Sequence, residues 1–149
     1  MPAIRELYQE LIVEHSKKPR NFGKLEGADH EATGYNPLCG DKVTVYVKMD
    51  GDVVREIRWE GSGCAISTSS ASLMTERAKG KRRAENDALF QLFHKLVTGG
   101  VVEGADAAQL GKLAVFSGVK EFPVRVKCAS LAWHTLRAAL EGTKTVTTD

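Results

Sequence analysis

Cys39, Cys64 and Cys128 are the only thiols of this chain, and each stands where a reactive or metal-bound thiolate is expected rather than a core filler. Cys39 lies in the turn-rich run Asn36-Pro37-Leu38-Cys39-Gly40-Asp41, with a carboxylate two residues after the thiol. Cys64 follows Gly61-Ser62-Gly63 and Cys128 follows Arg125-Val126-Lys127, and both are read as opening helices. A thiol at a helix N-terminus feels the positive end of the macrodipole, which favours thiolate. Three thiolates and the Asp41 carboxylate make four ligands suited to tetrahedral Zn²⁺, and the same soft sulfurs suit an iron–sulfur cluster. No CxxC pair is present, so three ordinary buried cysteines and an ordinary Gly-Asp turn remain the plain alternative.

The elements that would position these groups are legible in the hydrophobic pattern. Ile4, Leu7, Tyr8, Leu11 and Ile12 recur at helical spacing and predict a helix over Ala3–Lys17, stopped before Pro19. A polar connection to about Thr33 follows. Val43, Val45, Val47 and Met49 alternate with polar residues, Asp50-Gly51 suits a tight turn, and Val53, Ile57 and Trp59 share a face of the return strand. Lys42–Glu60 therefore reads as a hairpin, which brings Cys39 and Cys64 to one end of a sheet.

Ala65–Lys79 reads as a helix with small, polar first turns packed closely on a neighbour, ended by Gly80. Leu89, Leu92, Phe93, Leu96 and Val97 predict another, stopped by Gly99-Gly100, and Ala105–Ala114 a shorter one. Phe116–Lys127 is read as a loop carrying Pro123. The last helix is expected to begin near Cys128 and show Leu131, Ala132, Leu136 and Leu140 on one face, before a frayed tail over 142–149. The fold class is α+β: one domain over 1–149, a small antiparallel sheet packed against several helices.

Bulk properties narrow the function. A chain of 149 residues with 42% hydrophobic and 27% charged residues is an ordinary single domain. Its net charge of +2 gives no electrostatic case for nucleic acid. The basic run Lys79, Lys81, Arg82 and Arg83 reads as a solvated helix end. Arg5, Glu6, Glu10 and Glu14 interrupt the N-terminal segment, so neither a secretory signal nor a membrane span is expected. Cytoplasm is the expected location, where thiols stay reduced.

Several stretches in register resemble the SufU-type branch of the IscU/NifU iron–sulfur cluster assembly family. They are Leu7-Tyr8…Ile12…His15…Pro19-Arg20-Asn21…Gly23, the three cysteine motifs Asn36–Asp41 and Gly61–Ser67, and Phe122-Pro123-Val124-Arg125-Val126-Lys127-Cys128-Ala129. Two departures point to the branch. Lys127 stands where the IscU type has histidine, and the stretch between Cys64 and Cys128 is longer, with a SufU-type insertion placed at about 79–100. The resemblance implies a zinc-dependent sulfur carrier, a sulfurtransferase that takes persulfide from a SufS-type, pyridoxal-phosphate-dependent cysteine desulfurase and passes it to a downstream iron–sulfur assembly scaffold. The alternative is a scaffold on which a [2Fe–2S] or [4Fe–4S] cluster is assembled; a zinc module that only supports the fold is the third reading.

Within that resemblance Cys39, Asp41, Cys64 and Cys128 are the expected ligands. Cys39, on a loop flanked by proline and glycine, is the expected persulfide acceptor, with Cys128 the alternative. Arg125 is expected to give electrostatic support, Lys127 to balance charge, and Trp133 to pack beneath or beside the site. His15, His30, His94 and His134 have no ligand spacing and are assigned no part in it.

Overall fold

The computed structural model describes residues 4–147. The chain runs α1 (Ile4–Lys17), β1 (His30–Asn36), β2 (Asp41–Asp50), β3 (Val53–Ser62), α2 (Ala65–Ala78), α3 (Arg83–Val97), α4 (Gly104–Leu110), 3₁₀ turns (Gly111–Glu121), α5 (Pro123–Glu141) and β4 (Thr145–Thr147). The sheet order is β3-β2-β1-β4, with β1, β2 and β3 antiparallel and β4 parallel to β1. The expected α+β class is the observed one. α5 packs on β1 and β2, α2 packs on β3 and α5, α1 covers α2, and α3 lies against the 3₁₀ turns and α5.

The core forms between sheet and helices. Val45, Val47, Ile57 and Trp59 from the sheet meet Leu73 and Met74 of α2, Phe93 of α3, and Leu131 and Ala132 of α5. Each large apolar side chain so buried stabilises the fold by about 1.5–3 kcal/mol. The small residues of α2 do pack closely, and their hydroxyls are used. Ser70 donates to the Ala129 carbonyl (2.6 Å) and accepts from the Trp133 indole (3.1 Å), tying α2 to α5. His15, 2% exposed, lies 2.7 Å through Nδ1 from the Ser72 hydroxyl and ties α1 to α2. Burial, then the nearby Arg20 charge, holds its pKa below the ordinary imidazole value.

Five expectations need correction. The stretch read as polar connection contains a strand, β1, whose buried residues are Ala32, Gly34 and Asn36. Apolar bulk is missing from that face, so no alternation signalled it. In the hairpin, the β2–β3 register shifts after Lys48 and leaves Arg55 unpaired. The bulge reverses the inward phase, so Val54 rather than Val53 is buried. Ala105–Ala114 is divided: α4 stops at Leu110, where Gly111 takes a φ of 51°. The loop expected at Phe116–Lys127 is 3₁₀ turns and then the start of α5, with Pro123 at the first helical position that suits its fixed φ and missing N–H. Thr145–Thr147 pair with Thr33–Tyr35 rather than fraying, while Thr148 and Asp149 lie outside the described residues, as does Ala3.

Candidate metal centre

Two connections set the geometry at one end of the sheet. Asn36 and Asp41 are register partners, so Pro37–Gly40 form a four-residue hairpin loop carrying Cys39 between β1 and β2. Gly40 takes a φ of 73°, and the Asn36 carbonyl accepts from the amides of Cys39 (3.3 Å) and Gly40 (2.9 Å). On the other side of β2, Lys42 pairs with Ser62, which places Cys64 beside Asp41. α5 then crosses this end of the sheet and presents Cys128.

Cys39, Asp41 and Cys128 each offer a ligand atom, all within 4.8 Å of one another. The Cys39 and Cys128 sulfurs are 3.2 Å apart. Asp41 is 2% exposed; its Oδ1 accepts from the Cys64 amide (3.1 Å), and its buried Oδ2 has no partner among the described residues. A buried carboxylate oxygen without a partner is costly unless a cation or proton meets it. Two soft sulfurs beside that oxygen fit a zinc ion or an iron site.

Cys64 is held differently. Its sulfur accepts from the Ser67 amide (3.4 Å) as the N-cap of α2, and it lies outside the three-donor cluster. It does open its helix, as expected. Cys128 does not: it is the sixth residue of α5 and is fully buried. No macrodipole favours its thiolate there; burial pushes its pKa up, and the neighbouring Cys39 thiol and Asp41 carboxylate push it further. A cation at the site would offset all three.

Arg125, exposed on the first turn of α5, faces the sulfurs. The nearby sulfurs, Cys64 first and then Cys128 and Cys39, raise its pKa. Lys127 is half-buried, and no histidine joins the cluster among the described residues. Trp133 stacks on Phe93 with centroids 4.4 Å apart and reaches Ser70, so it belongs to the packing between α3, α5 and α2.

Two residues of the site carry no chemistry in the sequence pattern. A Cβ on Gly63 would lie 2.5 Å from Asp41 Oδ1, so only glycine leaves that carboxylate its place. Asn36, fully buried, directs its side-chain amide at the Cys128 sulfur (3.7 Å). The Gly-Cys and Asn-Pro-x-Cys adjacencies were the available signals, and turn chemistry accounts for both without reference to a site.

The profile of the family described as NifU-like N terminal domain matches residues 7–129. The iron–sulfur cluster assembly scaffold protein IscU of Streptococcus pyogenes serotype M1 is 38% identical over 138 residues, 93% of this chain and 85% of that relative. The zinc-dependent sulfurtransferase SufU of Bacillus subtilis strain 168 is 39% identical over 130 residues, 87% of this chain and 86% of that relative. A crystal structure from Fervidobacterium islandicum AW-1, described as a SUF-system iron–sulfur cluster assembly scaffold, aligns with a TM-score of 0.83 at 36% identity over 93% of this chain and 99% of that one.

Proposed function

The chain belongs to the NifU-like N-terminal domain family of iron–sulfur cluster assembly proteins, and from that premise we propose that it is a zinc-dependent sulfur carrier. In this reading it takes sulfane sulfur from a SufS-type cysteine desulfurase and passes it on to cluster assembly. The observation that carries the reading is the Cys39 thiol, on a solvent-facing hairpin loop, with its sulfur 3.2 Å from buried Cys128 and beside the unpartnered Asp41 oxygen.

Cys39, Asp41 and Cys128 would hold the ion, with Cys64 leaving its cap to complete the set. Bound Zn²⁺ keeps its thiol ligands deprotonated at neutral pH. Cys39 then acts on the persulfide. Its thiolate attacks the outer sulfur, a new S–S bond forms at Cys39, the donor's S–S bond breaks, and the donor cysteine leaves as a thiolate that takes up a proton. No net oxidation or reduction occurs. Cys128 is fully buried in the interior of α5 and Cys64 sits at the start of α2, whereas Cys39 is on the hairpin loop, so Cys39 is the thiol assigned to meet the partner. Arg125 balances the negative charge gathered by the three sulfurs and the incoming persulfide.

Exposed apolar side chains lie on both segments that carry the paired sulfurs: Leu38 (61% exposed) adjoins Cys39, and Phe122 (59%) and Val124 (46%) stand at the start of α5, the helix of Cys128. Such a patch fits a surface that a partner covers. A scaffold reading is kept because the S. pyogenes relative bears that name and the same donors would accept iron. Lys127, where the IscU type has histidine, favours the carrier.

The test is where the sulfur goes. The metal-loaded protein is incubated with a SufS-type desulfurase and cysteine, alkylated, digested and mapped by mass spectrometry. One added sulfur on the Cys39 peptide is expected; sulfur confined to Cys128 would move the acceptor role there.

A further inference from the structure

Asn36 meets Cys39, Gly40, Asp41 and Cys128 and is used by none of the chemistry above. It ends β1, is 0% exposed, and pairs across the ladder with Asp41. Its main-chain carbonyl fixes the turn by accepting from the Cys39 and Gly40 amides. Its side chain does something else. An asparagine that merely starts a turn folds its Oδ1 back onto the amides that follow, an Asx turn. Here Oδ1 is buried without a partner among the described residues, the turn is made by the main chain, and Nδ2 points at the Cys128 sulfur 3.7 Å away.

A neutral thiol is a weak acceptor, whereas a thiolate is a strong one, so this donor gains most when Cys128 carries negative charge. We infer that Asn36 is a positioning residue for the metal centre: its side-chain amide donates to the Cys128 thiolate, orients that sulfur toward Cys39 and Asp41, and adds no charge of its own. The inference rests on the metal-site reading above. A donor to a ligand's sulfur acts as outer-shell partners of metal ligands do, fixing orientation and tuning the ligand's donor strength. Lys127 and Arg125 supply positive charge at the same end of α5, and a neutral amide stabilises the sulfur without competing with a bound cation.

The test uses the full chain loaded with Co²⁺, whose thiolate-to-metal charge-transfer bands report each sulfur, together with Zn²⁺ affinity by chelator competition. Asn36→Asp keeps the side chain's size and removes the donor; Asn36→Leu removes all polarity. Both should weaken Zn²⁺ binding about tenfold or more, the usual loss for an outer-shell partner. Both should also shift the charge-transfer bands to lower energy, while the metal-free proteins keep wild-type far-UV circular dichroism. Wild-type bands and affinity in folded variants would overturn the inference and leave the metal site standing. No thiolate band in the wild-type cobalt protein would overturn both. Should the variants fail to fold, the wild-type protein decides the matter by NMR. The Asn36 side-chain amide resonance should move when Zn²⁺ is exchanged for Cd²⁺, and an unmoved resonance would rule out its hydrogen bond to the ligated sulfur.

Discussion

Cys39→Ser is expected to lower stimulation of a SufS-type desulfurase to the level of the desulfurase alone, with the fold intact. The side chain is half-buried on a loop whose shape is set by main-chain bonds to the Asn36 carbonyl and by Gly40 in the left-handed region. Serine keeps all of that. It cannot supply a thiolate, because a hydroxyl stays protonated at neutral pH and is a poor nucleophile toward sulfane sulfur. Neither remaining thiol lies on the loop: Cys128 is fully buried in the interior of α5 and Cys64 sits at the start of α2. Undiminished stimulation by Cys39→Ser would transfer the acceptor role to Cys128.

Gly63→Ala is the second large effect, although it removes no ligand and no charge. The added methyl would sit 2.5 Å from Asp41 Oδ1 and 3.0 Å from its Cγ. Asp41 cannot retreat, because β2 is paired with β1 on one side and β3 on the other. The carboxylate must therefore rotate away, losing the Cys64 amide and its place beside the two sulfurs. Zinc affinity should fall at least about tenfold, as it does when a ligand's support is lost. Crowding should also cost about 1–3 kcal/mol of stability. Gly118→Ala, where a Cβ meets nothing within 4 Å, is the control and should bind zinc as the wild type does. Wild-type affinity in Gly63→Ala would remove Asp41 from the donor set.

The parts of this site that lie on regular, apolar-patterned elements were readable in the sequence. Val43, Val45 and Val47 announced β2, Ile57 and Trp59 its partner, and their antiparallel pairing brings Cys64 to Asp41. The resemblance read from the cysteine motifs agrees with the family that the comparisons identify. What stayed hidden depends on residues whose burial is not apolar. β1 faces inward with alanine, glycine and asparagine, so the strand that makes Cys39 a hairpin residue left no hydrophobic signature. Pro123 has two opposite meanings, loop punctuation or first helical residue, and only the packing of α5 on the sheet selects the second. That choice moves Cys128 from a helix end to a helix interior, where burial disfavours the thiolate that a helix end would favour. The unpaired Arg55 is a similar case, since a single bulged residue swaps Val53 for Val54 in the core while leaving composition unchanged.

Both effects depend on a cation binding the Cys39–Asp41–Cys128 cluster and offsetting the burial that pushes the Cys128 pKa up. The most direct test measures metal content and desulfurase stimulation on one preparation, purified without added metal, then stripped with a chelator and reloaded. Stoichiometric zinc, with stimulation lost on stripping and regained with Zn²⁺, is the predicted result. Full stimulation by the stripped protein, together with a cluster that forms on it and transfers, would contradict the carrier and establish a scaffold.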